Sequence, residues 1–244
     1  MELTIIGKYG PFPKEGGACS SYLLRHGGKN VLIDCGSGCL SHLQRFAGLQ
    51  EIDMILLSHL HFDHISDMLI LRYALEGMTA RGLNVPLPVP VYMPDSPGDA
   101  AGLIASGKVF DIHTITNDTA FKFGDMNITF KAMTHPVPSF AMRFEVEKKA
   151  FVYTGDTSMN DDIVPFSKNA ELLLIDAGLL ERDKKETSPH ISAKEAGMIA
   201  TQAKARNMIA THLYPGYYEG EVQSELATYY RNAIIARETE TFTI

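Results

Sequence analysis

With 244 residues, 45% of them hydrophobic and 21% charged, the chain has the make-up of a globular protein with a sizeable core and is neither disordered nor fibrous in composition. Its net charge of -7 argues against a surface built to hold a long polyanion, and no apolar run approaches the ~20 residues that span a bilayer. The opening MELTIIGKYG does not read as a secretory leader, and three cysteines (Cys19, Cys35 and Cys39) make no disulfide framework, so the expected compartment is the cytoplasm with reduced thiols.

Taken in chain order, short strands separated by glycine turns are predicted first: Glu2 to Ile6, Ser21 to Arg25 and Val31 to Asp34, with breaks at Gly16-Gly17 and Gly27-Gly28. A helix over Leu40 to Phe46 and a buried strand over Ile52 to Leu57 follow. That strand runs through Ser58 into His59-Leu60-His61-Phe62-Asp63-His64, and a longer helix is predicted through Arg72 to about Met78. Pro86, Pro88 and Pro90 interrupt the chain before a strand near Val91-Tyr92 and a helix near Gly98 to Ser106. Ile112 to Thr154 reads as strands, with a hairpin turn at Gly124-Asp125. Alternation then returns: strand Leu172 to Ile175, helix Ser192 to Lys204, strand Met208 to Thr211, helix Glu221 to Tyr230, and short strands at Ile234-Ile235 and the C-terminus. No linker or low-complexity stretch divides the chain, so one domain over residues 1–244 is expected, with two packed sheets and helices outside.

The hexapeptide after the fourth strand carries the chemistry. His59 and His61 lie two apart in an extended segment and point the same way, while a turn after Phe62 lets Asp63 and His64 face a neighbouring position. One loop can thus feed two metal ions. Four more residues stand where active-site loops leave an αβ scaffold. His135 ends the run Ile128 to Thr134, Asp156 follows Ala150 to Gly155, His212 follows Met208 to Thr211, and His190 precedes the helix capped by Ser192. His26, His42 and His113 have no such context.

With these residues the chain resembles the metallo-β-lactamase-fold hydrolases, and within them the branch of ribonuclease Z and related zinc phosphodiesterases. The resemblance runs from Gly16-Gly17 and Leu32-Ile33-Asp34-Cys35-Gly36 to Thr211-His212-Leu213. It implies an α/β fold, a four-layer αβ/βα sandwich with the metals in the cleft between its sheets. It further implies one ion held by His59, His61 and His135, a second by Asp63, His64 and His212, and Asp156 bridging both. His190 matches the branch's extra histidine, within His190-Ile191-Ser192-Ala193-Lys194-Glu195-Ala196. The ligand types suit two Zn2+, with Mn2+ or Fe2+ as substitutes. Two such ions ~3.5–4 Å apart would share a water and lower its pKa toward ~7, for attack on a phosphoryl group. Asp63 would orient that water or take its proton, and His190 would stabilise charge or protonate the leaving oxygen. Asp34 is expected to orient a ligand, and a homodimer is a family expectation.

One departure narrows the substrate. The bacterial ribonuclease Z arm that grips transfer RNA lies between the positions matching His135 and Asp156, and here only residues 136–155, twenty in all, fill that interval. They read as two strands joined at Glu147-Lys148-Lys149. The expected activity is therefore hydrolysis of a small phosphodiester (a cyclic nucleotide, a cyclic phosphate or a short oligonucleotide). The alternatives are hydrolysis of a carboxylic ester, thioester or lactone, transfer-RNA 3′ processing, and a non-catalytic nucleic-acid-binding or scaffold role. Gly77 to Pro97, with Met78, Tyr92 and Met93, and Pro138 to Arg143 are expected at the cleft, where Arg143 could meet a phosphate.

Overall fold

A computed structural model describes residues 1–244. Its first sheet is built from β1 (Glu2–Gly7), β2 (Ser21–His26), β3 (Lys29–Ile33), β4 (Met54–Leu56), β5 (Val89–Met93) and β6 (Phe110–Thr114). The second contains β7 (Ala120–Phe123), β8 (Met126–Met133), β9 (Ser139–Val146), β10 (Lys149–Tyr153), β11 (Leu172–Asp176), β12 (Met208–Thr211) and β13 (Ile234–Ile235). A last strand, β14 (Thr241–Thr243), returns to pair with β1. The strand orders are β14-β1-β2-β3-β4-β5-β6 and β13-β12-β11-β10-β9-β8-β7. Each sheet passes from antiparallel pairs to a parallel block, which is β3 to β6 in the first and β10 to β13 in the second.

The period-two alternation of the strands sorts their side chains into separate cores. Tyr22, Leu24, Val31, Ile33, Met54 and Leu56 point inward to meet Ile128, Phe144, Phe151, Tyr153 and Leu174 of the other sheet. Their neighbours Leu23, Leu32, Ile55 and Val91 point outward, under the helices α1 (Cys39–Leu43), α3 (Met68–Ala80) and α4 (Gly98–Ala105). On the far side Val152, Leu173, Ile175, Met208 and Ala210 are covered by α5 (Ile163–Phe166), α6 (Ala193–Gln202) and α7 (Glu219–Tyr229). Helix, sheet, sheet, helix is the expected four-layer αβ/βα sandwich. No helix is long and apolar enough to cross a membrane.

The predicted elements are present with shifted ends. Strand β4 is shorter than the apolar run Ile52 to Leu57 because only Met54–Leu56 pairs with β3, and of these Ile55 and Leu56 also pair with β5. The turn expected after Phe62 is a short helix, α2 (Phe62–Ile65), ahead of α3. The segment from Gly77 to Pro97 does not present its three named side chains as a rim. Met93 is buried, Met78 packs against the same core, and Tyr92 is stacked between His113 and Phe121. Apolar area drew them out of solvent.

Candidate metal centre

Most residues picked out for the site follow the end of a strand, chiefly at the carboxyl ends of the parallel blocks, where α/β sheets present ligands, whereas His190 lies just ahead of α6. Asp34 follows β3, His59 follows β4, Asp156 follows β10 and His212 follows β12. His135 follows β8, and His61, Asp63 and His64 ride on the turn that opens α2. Asp34 and His212 have left-handed backbones, with φ of 54° and 55°. That reversal costs of order 1–3 kcal/mol at a non-glycine residue and is held by surrounding bonds.

The side chains converge into two groups. In the first, His61 Nδ1 lies 3.1 Å from His59 Nε2 and 3.1 Å from His135 Nε2. Roughly 3.3 Å is the edge of a tetrahedron with ~2.0–2.1 Å bonds to nitrogen. In the second, Asp63 Oδ2 lies 3.1 Å from His212 Nε2 and 3.6 Å from His64 Nε2. Asp156 belongs to both groups. Its Oδ2 stands 3.2 Å from His212 Nε2, 3.4 Å from His64 Nε2, 3.5 Å from His59 Nε2 and 4.0 Å from His135 Nε2. The seven expected ligands are thus the seven side chains of these two groups.

Outer contacts decide which nitrogens face inward. His64 Nδ1 donates to Asp34 Oδ2 at 2.8 Å and His135 Nδ1 to the Pro189 carbonyl at 3.1 Å. His59 Nδ1 donates to Ser58 Oγ at 3.0 Å, and Ser58 Oγ donates on to Asp34 Oδ2 at 2.8 Å. The Nε2 lone pairs of all three are left for the interior. Asp34 also accepts from the Ser58 amide at 2.7 Å and the Tyr153 hydroxyl at 2.8 Å, so one buried carboxylate ties a ligand loop to the opposite sheet. The orienting role expected of Asp34 is the geometry observed.

The donors fit a cation. Buried His64 Nε2 and Asp156 Oδ1 have no hydrogen-bond partner, a state that costs about 1–3 kcal/mol per group unless something else satisfies it. Burial holds His59 well below the usual histidine range and lowers His61 and His135, which keeps their lone pairs free. Burial also disfavours charge on His64, but the Asp156, Asp63 and Asp34 carboxylates outweigh it and raise its pKa well above the ordinary value. The site attracts a proton where a metal cation would supply the same charge. Burial opposes ionisation of Asp63, yet His64 and His212 bring its carboxyl down to about 2.

His190 stands outside the seven. Its Nδ1 donates to Asp176 Oδ2 at 2.9 Å, and its ring stacks on His212 at 4.7 Å. Burial lowers its pKa, but Asp176 more than compensates and brings it to about 9. Asp176 was not singled out in the sequence. It is fully buried at the end of β11 and also accepts from the amides of Thr157 and Gly178. Its signal was an acid closing an apolar strand, the same one that marked Asp156.

Other candidates lie elsewhere. The Arg143 guanidinium is engaged by Glu145 and by the carbonyls of Phe166 and Lys168. His42 bonds the Ile6 carbonyl, His26 pairs with Asp125 and His113 with Asp111. All three cysteines are buried and free, Cys35 and Cys39 with sulfurs 3.5 Å apart, and burial pushes the Cys19 thiol up to about 12.

Comparison with known proteins gives a consistent picture. Residues 29–213 match the model of the beta-lactamase superfamily domain. The chain is 34% identical over 220 residues to the "Probable metallo-hydrolase YhfI" of Bacillus subtilis, covering 87% of each. The crystal structure of that metallo-beta-lactamase fold protein superposes with a TM-score of 0.91 at 30% identity, over 99% of this chain and 98% of the other. A ribonuclease Z of Mycobacterium bovis is 26% identical over 255 residues, covering 91% of this chain and 89% of the relative. The short form of human tRNase Z shares the fold, with a TM-score of 0.80 at 21% identity over 100% and 99% of the two chains.

Proposed function

The chain belongs to the beta-lactamase superfamily and is a metallo-hydrolase of that fold, and on this premise we propose that it is a dinuclear zinc phosphodiesterase acting on a small phosphodiester. The observation that carries the reading is Asp156 Oδ2, within 4.0 Å of imidazole nitrogens from both groups. On this reading His59, His61 and His135 hold one ion, Asp63, His64 and His212 the other, and Asp156 both. A bound pair would supply an acidified water and polarise a phosphoryl oxygen.

The chain's own groups do the rest. Asp63, ionised throughout the neutral range, accepts a hydrogen bond from the attacking water and orients it. His190 is protonated at neutral pH, its Nδ1 fixed by Asp176. Its Nε2–H donates to the oxygen that leaves phosphorus, which favours a phosphodiester over a carbonyl substrate. The interval from His135 to Asp156 folds as the hairpin β9–β10 closed at Glu147-Lys148, which supports a small substrate over transfer RNA.

Zinc-loaded protein assayed on bis(p-nitrophenyl) phosphate beside a panel of lactones, esters and thioesters tests the reading. Phosphodiester turnover is expected. Ester or lactone turnover with none on the phosphodiester would overturn it.

A further inference from the structure

A cavity of about 250 Å³ opens beside His190 and His212, with Gly10, Gly178, Tyr214 and Tyr217 among its other walls. One side of it is aromatic. Tyr214 meets Tyr217 edge-on at 5.2 Å, and Phe12 stands edge-on against Tyr214 at 5.9 Å. The pose of these rings is fixed from behind. Tyr217 donates its hydroxyl to Asp183 at 2.9 Å, and its amide donates to the Tyr214 carbonyl at 3.1 Å. The Tyr214 ring lies over Gly216, where a Cβ would come within 2.5 Å of it.

The opposite wall is bare backbone and imidazole. A Cβ at Gly178 would stand 3.2 Å from His190 and 3.3 Å from His212, crowding the two rings that join the cavity to the proposed reaction centre. No lysine or arginine lines the cavity. Its one cationic wall residue, His190, is committed to the leaving oxygen on the proposed mechanism, so the cavity offers a second phosphate no partner of its own and suits an uncharged planar group. Tyr214 is 40% exposed, a large ring left half-covered against a space that a flat ring would fill.

We propose that this cavity is a stacking subsite for the nucleobase of a nucleoside phosphodiester, with Tyr214 as its platform. The proposal rests on the phosphodiesterase reading and deepens it from small phosphodiesters in general to those bearing a base. A base held against Tyr214 leaves its sugar and phosphate on the side of His190 and His212. Every base has a π-face, so the wall selects for a base over none more than it distinguishes among bases.

The test compares adenosine 2′,3′-cyclic phosphate with methyl ribofuranoside 2′,3′-cyclic phosphate, which carries a methoxy group in place of the base. The wild-type protein is expected to prefer the first in kcat/KM by about five- to hundredfold, chiefly through KM. Tyr214→Ala should collapse that ratio and Tyr214→Phe should restore it, because the ring and not the hydroxyl is the platform. A wild-type ratio near one, or a ratio unmoved by Tyr214→Ala, overturns the subsite and leaves the phosphodiesterase reading standing. Adenosine binding to the zinc-loaded protein, followed by calorimetry, decides the matter where neither cyclic phosphate is hydrolysed. Binding weakened about fivefold or more by Tyr214→Ala supports the subsite even if bis(p-nitrophenyl) phosphate is not turned over. Absence of adenosine binding to the wild type overturns it.

Discussion

A methyl group at position 10 would lie 1.9 Å from His212 Nε2, and one at position 36 would lie 2.0 Å from the Asp63 carbonyl oxygen. Both glycines keep space for the proposed second ion's ligands. Gly10→Ala must displace the His212 ring, and Gly36→Ala must displace the backbone of the hexapeptide loop. Each is expected to lower zinc from two to about one per chain by plasma mass spectrometry, with His59, His61 and His135 still loaded. Asp176 acts through a proton instead. The raised His190 pKa means that its charged form, and the stability drawn from the Asp176 pair, are fully present below about 6.5. Both are lost as pH rises through about 9. Turnover should therefore fall on the alkaline side near pH 9. Asp176→Asn should move that limb toward 6.5 and lower kcat at pH 8 by about ten- to hundredfold, as a pH–rate profile would show. An unmoved alkaline limb would assign it to another group. At this scale the sequence was most legible for the ligands, because each closed an apolar strand or sat in one dense motif. Asp176 gave the same cue without a cluster around it. Phe12 and Tyr214 gave none, since some two hundred residues separate two rings that meet only in the fold.

Among the elements, α6 shows how a local signal positions a distant group. Ser192 caps it, accepting from the Glu195 amide at 3.2 Å, while Glu195 bonds back to the Ser192 amide at 3.0 Å. The Ser192 hydroxyl also donates to Glu181 at 2.6 Å, and Lys194 reaches the same carboxylate at 2.9 Å. This box fixes the chain two residues after His190. Ser192→Ala removes a fully buried cap and leaves the Glu195 amide without its acceptor, a loss of about 1–2 kcal/mol. Urea unfolding should register it as a lower midpoint at unchanged slope. The cap and helix were readable from Ser192-Ala193-Lys194-Glu195, as was the alternation of the central strands. The pairing of β14 with β1 was not, because register between segments some 240 residues apart leaves no local trace. Neither was the burial of Met93 beneath the helices or the stacking of Tyr92 between His113 and Phe121, where composition suggested a rim.

On the scale of the whole molecule, the site lies in the seam between the two sheets. His59, His61, Asp63 and His64 come from the first sheet's loops, and His135, Asp156 and His212 from the second's. Ions bound there would stabilise the packed sheets by their affinity for the folded state alone. At free zinc a hundredfold above its dissociation constant this amounts to about 2.7 kcal/mol per site. Stripping metal with a chelator is expected to lower the melting temperature by roughly 5–10 °C for one such site, at about 2–4 °C per kcal/mol in a chain of this size. Calorimetry with and without chelator, restored by added zinc, measures it, and equal midpoints would dissociate metal from folding.

On the proposed assignment, the Asp156 carboxylate that reaches both groups would carry that coupling into the titration itself. A second cation arriving at this carboxylate meets a charge already partly neutralised by the first, and a like charge nearby. On the proposed assignment the two occupancies are not independent quantities, even with similar imidazole donors on each side. Substoichiometric zinc should populate mostly singly loaded molecules, and the last equivalent should bind more weakly than the first. A half-loaded preparation is then a distinct chemical species and not a half-dose of the active one.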